Sequence, residues 1–278
     1  MITSVGPVSL VVPNQQRSVD FYRNVLGFFL LSEQGDAAVM GTADGKILLT
    51  LSENPEAPPV SRRVPGLFHF AVLFPSRAAL GKELAHLIKA GWKLSGAGDH
   101  LVSEALYLDD PDGNGIELYY DRPRSVWEFE DGKVKMDTLS VDIESLLAEG
   151  AAETTPWTGI PNGTTMGHVH LKVNDVDAAG TFYQALLGFD LMAIWEKALF
   201  VAAGGYHHHL GLNAWMSNGS EKRPEFALGL RGFSVNFNSG SDVKAAVARL
   251  KAAGYEVDTN GLDPFVHDPA GNGLWLHA

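Results

Sequence analysis

The chain has 278 residues, of which 45% are hydrophobic and 19% are charged, and its formal net charge at pH 7 is −12. This length accommodates two ordinary domains, and the negative charge argues against nucleic acid or an anionic membrane as a partner. The absence of cysteine excludes disulfides and thiolate metal sites, and the absence of a long apolar run or a basic leader predicts a cytoplasmic protein that does not span a membrane.

Two short phrases occur twice in the chain. The phrase at Phe21–Phe28 returns at Phe182–Phe189, and the phrase at Asp110–Leu118 returns at Asp268–Leu276. The offset between the copies is 161 residues for the first phrase and 158 residues for the second. Two independent pairs at nearly the same spacing indicate a duplicated domain.

The first half of the chain begins with a strand, a helix and two further strands. The strand is predicted at Val8–Val12, and the helix is predicted to begin with Ser18 as its cap and to end at Gly27. Two strand-like runs follow at Ala37–Met40 and Lys46–Leu51. We refer to this group of elements as module one.

Module two repeats the same order. A strand is predicted at Leu67–Leu73, a helix capped by Ser76 at 77–89, and strands at Ala105–Leu108 and Ile116–Tyr120 on either side of a glycine-rich turn. The second half of the chain repeats both modules, which we call modules three and four.

We predict that each module has the order βαβββ, of which the opening strand, the helix and two of the closing strands are described above. A single module cannot bury its sheet, so two modules must pack together. We expect an α+β fold in which four tandem modules pair into two cup-shaped half-barrels. The predicted domains are 1–121 and 166–278, joined by a connector over 122–165 that includes a short helix at Asp142–Leu147.

These repeated phrases, an FY-x3-LGF helix and a DP-x-GN-x-[IL] turn, resemble the vicinal oxygen chelate superfamily. That superfamily includes glyoxalase I, bleomycin-resistance proteins and extradiol dioxygenases. The segment Gly98–Glu117 is similar to the extradiol ring-cleavage signature, with G-x-H, an apolar residue followed by Tyr, D-P-x-G and a terminal Glu. The resemblance implies that Glu117 is an iron ligand and that Tyr107 and His100 form hydrogen bonds to the substrate and the intermediate.

The resemblance also implies two histidine ligands. One is His69, on the first strand of the module that supplies the glutamate. The other is expected on the first strand of the partner module. His168 holds that position in module three, whereas module one has Pro7, which cannot bind a metal through its side chain. Module four has Gly232 and Trp275 at the two ligand positions of module two. All ligands thus lie in modules two and three, so we predict a crossed pairing of module two with three and of module one with four.

A run of three histidines, His207–His209, is predicted on the last strand of module three. Extradiol dioxygenases place an acid–base histidine on this strand, and the resemblance assigns that role to His208. His209 is the competitor, and at least one of the three is expected to be structural. We expect His170 to alternate away from His168 and to serve in packing.

The resemblance implies a non-heme Fe(II) extradiol dioxygenase that cleaves a catechol-like aromatic diol with O₂, with Mn(II) as the alternative metal. Uncharged side walls that include Phe68, Phe70 and Trp195 suit a planar ring, and an ordinary core explains these residues equally well. A homo-oligomer is compatible with the sequence. One alternative is another metal-dependent enzyme of the superfamily, of the glyoxalase or isomerase type. The other is a small-molecule binding or resistance protein, which would not need a metal triad.

Overall fold

The computed structural model describes all 278 residues and has a mixed α+β fold. Module one contains β1 (Ile2–Val12), α1 (Gln15–Asn24), β2 (Phe29–Gln34), β3 (Ala37–Gly41) and β4 (Ile47–Glu53). Module two contains β5 (Gly66–Leu73), α2 (Arg77–Ala90), β6 (Gly96–Asp99), β7 (Ser103–Asp109) and β8 (Gly115–Asp121). The predicted order βαβββ is present in both modules.

The connector and the second half follow. The connector contains β9 (Phe129–Glu130), β10 (Lys133–Val134) and α3 (Ile143–Ala152). Module three contains β11 (Thr165–Lys172), α4 (Val176–Thr181) continued by a π-helical turn at Phe182–Leu187, β12 (Asp190–Trp195), β13 (Ala198–Ala202) and β14 (Leu210–Asn213). Module four contains β15 (Gly229–Phe237), α5 (Gly240–Ala252), β16 (Val257–Asp258), β17 (Phe265–His267) and β18 (Gly273–His277).

Sixteen of these strands form two eight-stranded sheets. One sheet has the order β16-β17-β18-β15-β1-β4-β3-β2, and the other has the order β12-β13-β14-β11-β5-β8-β7-β6. Modules one and four therefore share one sheet, and modules two and three share the other. The predicted fold class and the predicted crossed pairing are confirmed. None of the helices is both long and apolar enough to cross a membrane.

The chain divides into two compact units. One comprises Met1–Val11, Glu56–Phe68 and Gly167–Ala278, and the other comprises Val12–Pro55 and His69–Met166. Each unit has a core of fully buried aromatic and aliphatic side chains, among them Phe182, Tyr183, Phe233 and Leu171 in the first, and Tyr22, Phe28, Phe70 and Leu84 in the second. The domain limits at 121 and 166 stay a prediction.

The first helix begins earlier than its sequence suggests. Asn14 is the cap, and its side-chain oxygen accepts a hydrogen bond from the backbone N–H of Arg17 at 2.8 Å. Ser18 lies inside the helix and donates to the carbonyl oxygen of Asn14. The predicted cap at Ser18 is wrong because the first turn, Gln15–Arg17, is polar and shows no apolar periodicity. Asparagine at the cap satisfies the same unpaired N–H groups that serine would.

The two repeated phrases contact each other within each half of the chain. The Tyr22 hydroxyl donates to Asp110 at 2.8 Å, and the Tyr183 hydroxyl donates to Asp268 at 3.1 Å. Each aspartate also accepts hydrogen bonds from its own turn, through backbone N–H groups and a following asparagine side chain. The helix phrase and the turn phrase recur together because they form a single buried contact.

A buried carboxyl on α2 holds part of the connector. Glu83 accepts a hydrogen bond from the Trp157 indole N–H at 2.8 Å, and its other oxygen has no hydrogen-bond partner. The Trp157 ring stacks on His86 with 3.4 Å between the centroids. Burial raises the pKa of Glu83 from 4.5 to about 8, and the Trp157 hydrogen bond opposes that shift. The carboxyl is therefore protonated in the folded protein at neutral pH.

Glu83→Gln should make the stability of the protein less dependent on pH. Since the folded pKa is raised to about 8, folding is unaffected by this group below pH 4.5 and is progressively disfavoured as pH rises to 8. We expect the wild-type free energy of unfolding to fall by about 3 kcal/mol more than that of the variant between pH 5 and pH 8. Urea denaturation at both pH values measures this difference, with the exposed Glu130→Gln as control. An equal change in the free energy of unfolding between the two pH values for wild type and Glu83→Gln would contradict the prediction.

Candidate active site

Two predicted metal ligands lie side by side on neighbouring strands of module two. In the parallel pairing of β5 and β8, Ala71 stands opposite Glu117, which places Glu117 near the imidazole of His69 two residues earlier. The Nε2 atom of His69 and the Oε2 atom of Glu117 are 2.9 Å apart, and both side chains are buried.

His168, on β11, completes a group of three. The potential ligand atoms of His69, Glu117 and His168 all lie within 4.8 Å of one another, and all three residues are buried. Two imidazoles and one carboxylate form a donor set for a divalent transition metal. Adjacent ligand atoms about 2.0–2.2 Å from one ion would lie about 3 Å apart, which agrees with the 2.9 Å between His69 and Glu117. The residues present therefore fit a bound metal ion.

The strand registers locate the corresponding positions in module four. Glu117 pairs with Ala71 in module two, and Trp275 pairs with Ser234 in module four, two residues after Gly232. A Cβ atom added to Gly232 would lie only 2.7 Å from the Trp275 ring. The ring of Trp275 therefore occupies the space beside Gly232 where a metal-binding histidine would stand in module two.

In module three the counterpart of Glu117 has no side chain. His170, two residues after His168, pairs with Gly211, so Gly211 holds the glutamate position. A Cβ atom there would lie 2.7 Å from the His170 ring, which covers this glycine. In module one, Pro7 lies where the register between β1 and β15 shifts, between Val5 and Val8. Only the pair of modules two and three carries the three donors.

Tyr107 and His100 form a hydrogen-bonded pair beside the carboxylate. Tyr107 pairs with Glu117 across β7 and β8, and its hydroxyl lies 2.7 Å from Nε2 of His100. Nδ1 of His100 lies 2.9 Å from the carbonyl oxygen of Asp137. Because a carbonyl only accepts, Nδ1–H of His100 donates to it. The Tyr107 hydroxyl, which has a single proton, also forms a hydrogen bond with Glu117. Burial, and then the charge of Glu117, raise the pKa of Tyr107 well above its usual value.

The three consecutive histidines precede β14, which begins at Leu210. The chain turns through Gly204 and Gly205, both with positive φ, and backbone pairing resumes at His209, whose N–H donates to Val201 and whose carbonyl oxygen accepts from Val169. The predicted place on the strand is therefore wrong for His207 and His208. The ring of His208 lies 4.2 Å from that of His168. His209 instead accepts a hydrogen bond from the backbone N–H of Ala203 through Nδ1. The structure thus places His208 beside the candidate ligand and gives His209 a contact within its own loop.

The ring of His207 is fully buried beside its neighbour. The Nδ1 atoms of His207 and His208 are 2.8 Å apart, so one ring donates to the other. The His207 ring also lies 4.1 Å from that of Tyr206. The predicted catalytic role of His208 stays a prediction, and this contact would orient its ring.

An aromatic cluster surrounds His170 within module three and the start of β5. Its ring lies 4.9 Å from Phe68, 5.7 Å from Phe200 and 5.6 Å from Trp215. The pairing of β11 with β14 is regular over residues 169–172, so residues two apart share a face of β11. The expectation that His170 alternates away from His168 is therefore wrong, because that spacing keeps a side chain on the same face.

The predicted aromatic side walls are only partly in place. Phe68 and Trp195 are 38% and 37% exposed, and Trp195 packs on Phe200 at 5.0 Å. Phe70 is fully buried, 6.4 Å from the ring of Tyr22 in the core, so its expected place at the site is wrong. It alternates with His69, and that alternation could have been recognised in the sequence. Trp215 was not foreseen because it follows β14 in a turn without a repeated phrase.

Comparison with known proteins agrees with the repeat. The family model described as "Glyoxalase/Bleomycin resistance protein/Dioxygenase superfamily" matches residues 4–118 and 165–276. A curated relative, the catechol-2,3-dioxygenase of Bacillus subtilis (strain 168), is 46% identical over 272 residues, which cover 96% of this chain and 94% of that protein.

Solved structures of similar fold include two of lower sequence identity. A putative dioxygenase from Bacillus subtilis subsp. subtilis str. 168 has a TM-score of 0.64 at 14% identity, covering 99% of this chain and 84% of that chain. Glyoxalase I from Zea mays has a TM-score of 0.59 at 15% identity, covering 98% of this chain and 91% of that chain. At these identities the two structures show the fold alone.

Glu117→Ala should remove bound metal, because it deletes the only carboxylate of the donor set. We expect the metal content measured by mass spectrometry to fall at least about tenfold, a loss seen even for residues that only support a ligand. The matched control is Trp275→Ala at the duplicated position. Because Trp275 is half-buried, that variant should lose about 2 kcal/mol of stability and keep its metal. Full metal retention by Glu117→Ala would contradict the assignment.

Proposed function

Because the chain belongs to the glyoxalase/bleomycin resistance protein/dioxygenase superfamily, we propose that it is an Fe(II)-dependent extradiol dioxygenase that cleaves a catechol-like diol with O₂. The observation that carries the proposal is the 46% identity to a catechol-2,3-dioxygenase over 96% of the chain. That relationship makes the chain an enzyme of the extradiol dioxygenase kind. The choice of iron over manganese, and of a catechol as substrate, belongs to the proposal.

His69, Glu117 and His168 would hold the metal on one side. A bound Fe(II) ion with three protein ligands supplies open positions at which a diol and O₂ can be brought together. The ligands must then be two neutral imidazoles and one ionised carboxylate. Their burial excludes water from the carboxylate, which strengthens its interaction with a cation.

His208 would act as the base that takes a proton from the diol. Its ring is partly exposed and lies 4.2 Å from the ring of His168, one of the three candidate ligands. The contact with His207 at 2.8 Å fixes the orientation of the ring. Proton transfer by a positioned histidine is a common contribution to catalysis near neutral pH.

Tyr107 and His100 would hold the reacting oxygens beside the carboxylate of Glu117. The raised pKa of Tyr107 keeps its hydroxyl protonated at neutral pH, so it remains a hydrogen-bond donor. The hydroxyl is hydrogen-bonded to His100 at 2.7 Å and to Glu117. In the proposed reaction the tyrosine would donate its proton to a substrate oxygen, and His100, which stays in contact with the tyrosine, would orient the hydroxyl.

A glyoxalase-type site needs a second glutamate at the duplicated position, and here that position is Gly211 beneath the His170 ring. No observation favours this alternative. A small-molecule binding protein would not require three buried donors within 4.8 Å of one another. A cytoplasmic location and a homo-oligomeric state stay predictions from the sequence.

The proposal is tested by purifying the protein without oxygen and reconstituting it separately with Fe(II) and Mn(II). We expect near-stoichiometric binding of Fe(II) and a ring-cleavage product, detected by its visible absorbance, when catechol and air are added. Ring cleavage with Mn(II) and not with Fe(II) would show that the proposed metal is wrong and that the proposed reaction is right. Turnover of a hemithioacetal with no cleavage of any catechol would overturn the proposal in favour of the glyoxalase class.

His208→Phe should separate proton transfer from metal binding. We expect kcat on catechol to fall by about 10²–10⁴-fold, the usual contribution of a general base, while iron content is unchanged. His209→Phe is the matched control. It loses the hydrogen bond from Ala203, so it should lower the thermal midpoint and leave kcat nearly unchanged. Loss of iron from His208→Phe would identify that residue as a ligand. A larger loss of kcat in His209→Phe would transfer the role to His209.

A further inference from the structure

Three cations lie together at one end of β11, in a chain whose net charge is −12. They are Lys172, Arg62 and Arg223. The Lys172 ammonium has one hydrogen-bond partner, the carbonyl oxygen of Arg62 at 3.4 Å. The Arg223 guanidinium donates to the carbonyl oxygens of Ala227 and Leu228 at 3.0 and 2.8 Å. All of these partners are neutral.

The cluster is electrostatically costly as it stands. Burial, and then the positive charges of Arg223 and Arg62, lower the pKa of Lys172 to about 8. Burial lowers the pKa of Arg223 to about 10. No carboxylate opposes either shift. A cationic group that is half-buried without a counter-ion is a position where an anion would be bound favourably.

The cluster is aligned with the candidate active site along one strand. His168, His170 and Lys172 alternate onto the same face of β11, because its pairing with β14 is regular. The four-residue separation of His168 and Lys172 corresponds to about 13 Å along the strand. A candidate metal ligand, an aromatic cluster that includes Phe68 and Trp215, and a cation therefore follow one another along this face.

We propose that Lys172, with Arg62 and Arg223 beside it, binds a carboxylate substituent on the ring of the substrate. The inference rests on the proposed function, and it narrows the substrate class to catechols that carry an anionic side chain. The diol would lie toward His168, the ring against the His170 cluster, and the carboxylate at Lys172. An ammonium bound to a carboxylate forms a charge-assisted hydrogen bond, which is stronger than a neutral one.

Lys172 is the residue to test, because Arg223 has a second role. Its guanidinium ties the 223–228 loop through two carbonyl oxygens. A Cβ atom on Gly66 would lie 2.9 Å from its Nη1 atom, so the guanidinium also packs closely on the start of β5. Removal of Arg223 would disturb this packing whether or not an anion binds.

The experiment compares 3,4-dihydroxyphenylacetate with the neutral 4-ethylcatechol in steady-state assays of the Fe(II)-loaded enzyme. Wild type should have the higher kcat/KM for the carboxylate. In Lys172→Met, kcat/KM for the carboxylate should fall about 10- to 100-fold, mainly through KM, as expected for a lost hydrogen bond to a charged group. The value for 4-ethylcatechol should change less than about threefold, a change of below 1 kcal/mol.

Two variants serve as controls. Lys172→Arg keeps the charge and should retain most of the preference for the carboxylate. Lys251→Met removes an exposed lysine on α5 and should not change kcat/KM for either substrate. Equal losses for both substrates in Lys172→Met, or no preference in wild type, would overturn the proposal.

A binding assay without turnover separates this inference from the proposed function. Phenylacetate and 2-phenylethanol lack the diol, and quenching of tryptophan fluorescence measures their binding. Tighter binding of phenylacetate that is lost in Lys172→Met would support the anion site even if no catechol is cleaved. Absence of that difference would overturn the anion site even if catechol is cleaved.

Discussion

The buried hydrogen bond between a helix tyrosine and a turn aspartate is the constraint on which the rest of this structure depends. Asp110 receives the Tyr22 hydroxyl and also fixes its own turn through the N–H groups of Asp112 and Asn114. Burial raises the pKa of Asp110, and these hydrogen bonds oppose the shift. Loss of any one donor would leave a costly buried acceptor. The turn is therefore set rigidly, and β8, which carries Glu117, starts directly from it.

The same contact, repeated between Tyr183 and Asp268, supports a module without ligands. The scaffold and the chemistry are thus separable. β18 leaves its turn in the same register as β8, yet it presents Trp275 where β8 presents Glu117. Gly232 makes room for the indole, with a hypothetical Cβ atom only 2.7 Å from the ring. In module four, packing fills the position that corresponds to a candidate metal ligand, without a change of strand register.

Repetition made the fold predictable, because equivalent positions in four copies can be compared without coordinates. The three candidate ligands were singled out by the family resemblance together with that comparison. Prediction failed where the backbone departs from a regular period. The order of the module places the histidine run on its last strand, but two positive-φ glycines keep His207 and His208 outside β14, which begins at Leu210. The first helix starts at Gln15 because capping by Asn14 needs no apolar periodicity. The cations beside Lys172 come from segments 110 and 51 residues distant in sequence, which no local pattern relates.

The surroundings of Glu117 connect metal binding to folding. Ala71, Ala105 and Tyr119 form a buried cluster on its strand and the neighbouring strands. Small and apolar neighbours leave a carboxylate with little solvation, which raises its free energy by several kcal/mol unless a cation compensates. Tyr107 and His69 lie beside this carboxylate, and the packing that stabilises this part of the sheet would strengthen the attraction of the candidate site for a divalent ion. In module four, where Trp275 replaces the carboxylate, the sheet has no such cost and needs no ion.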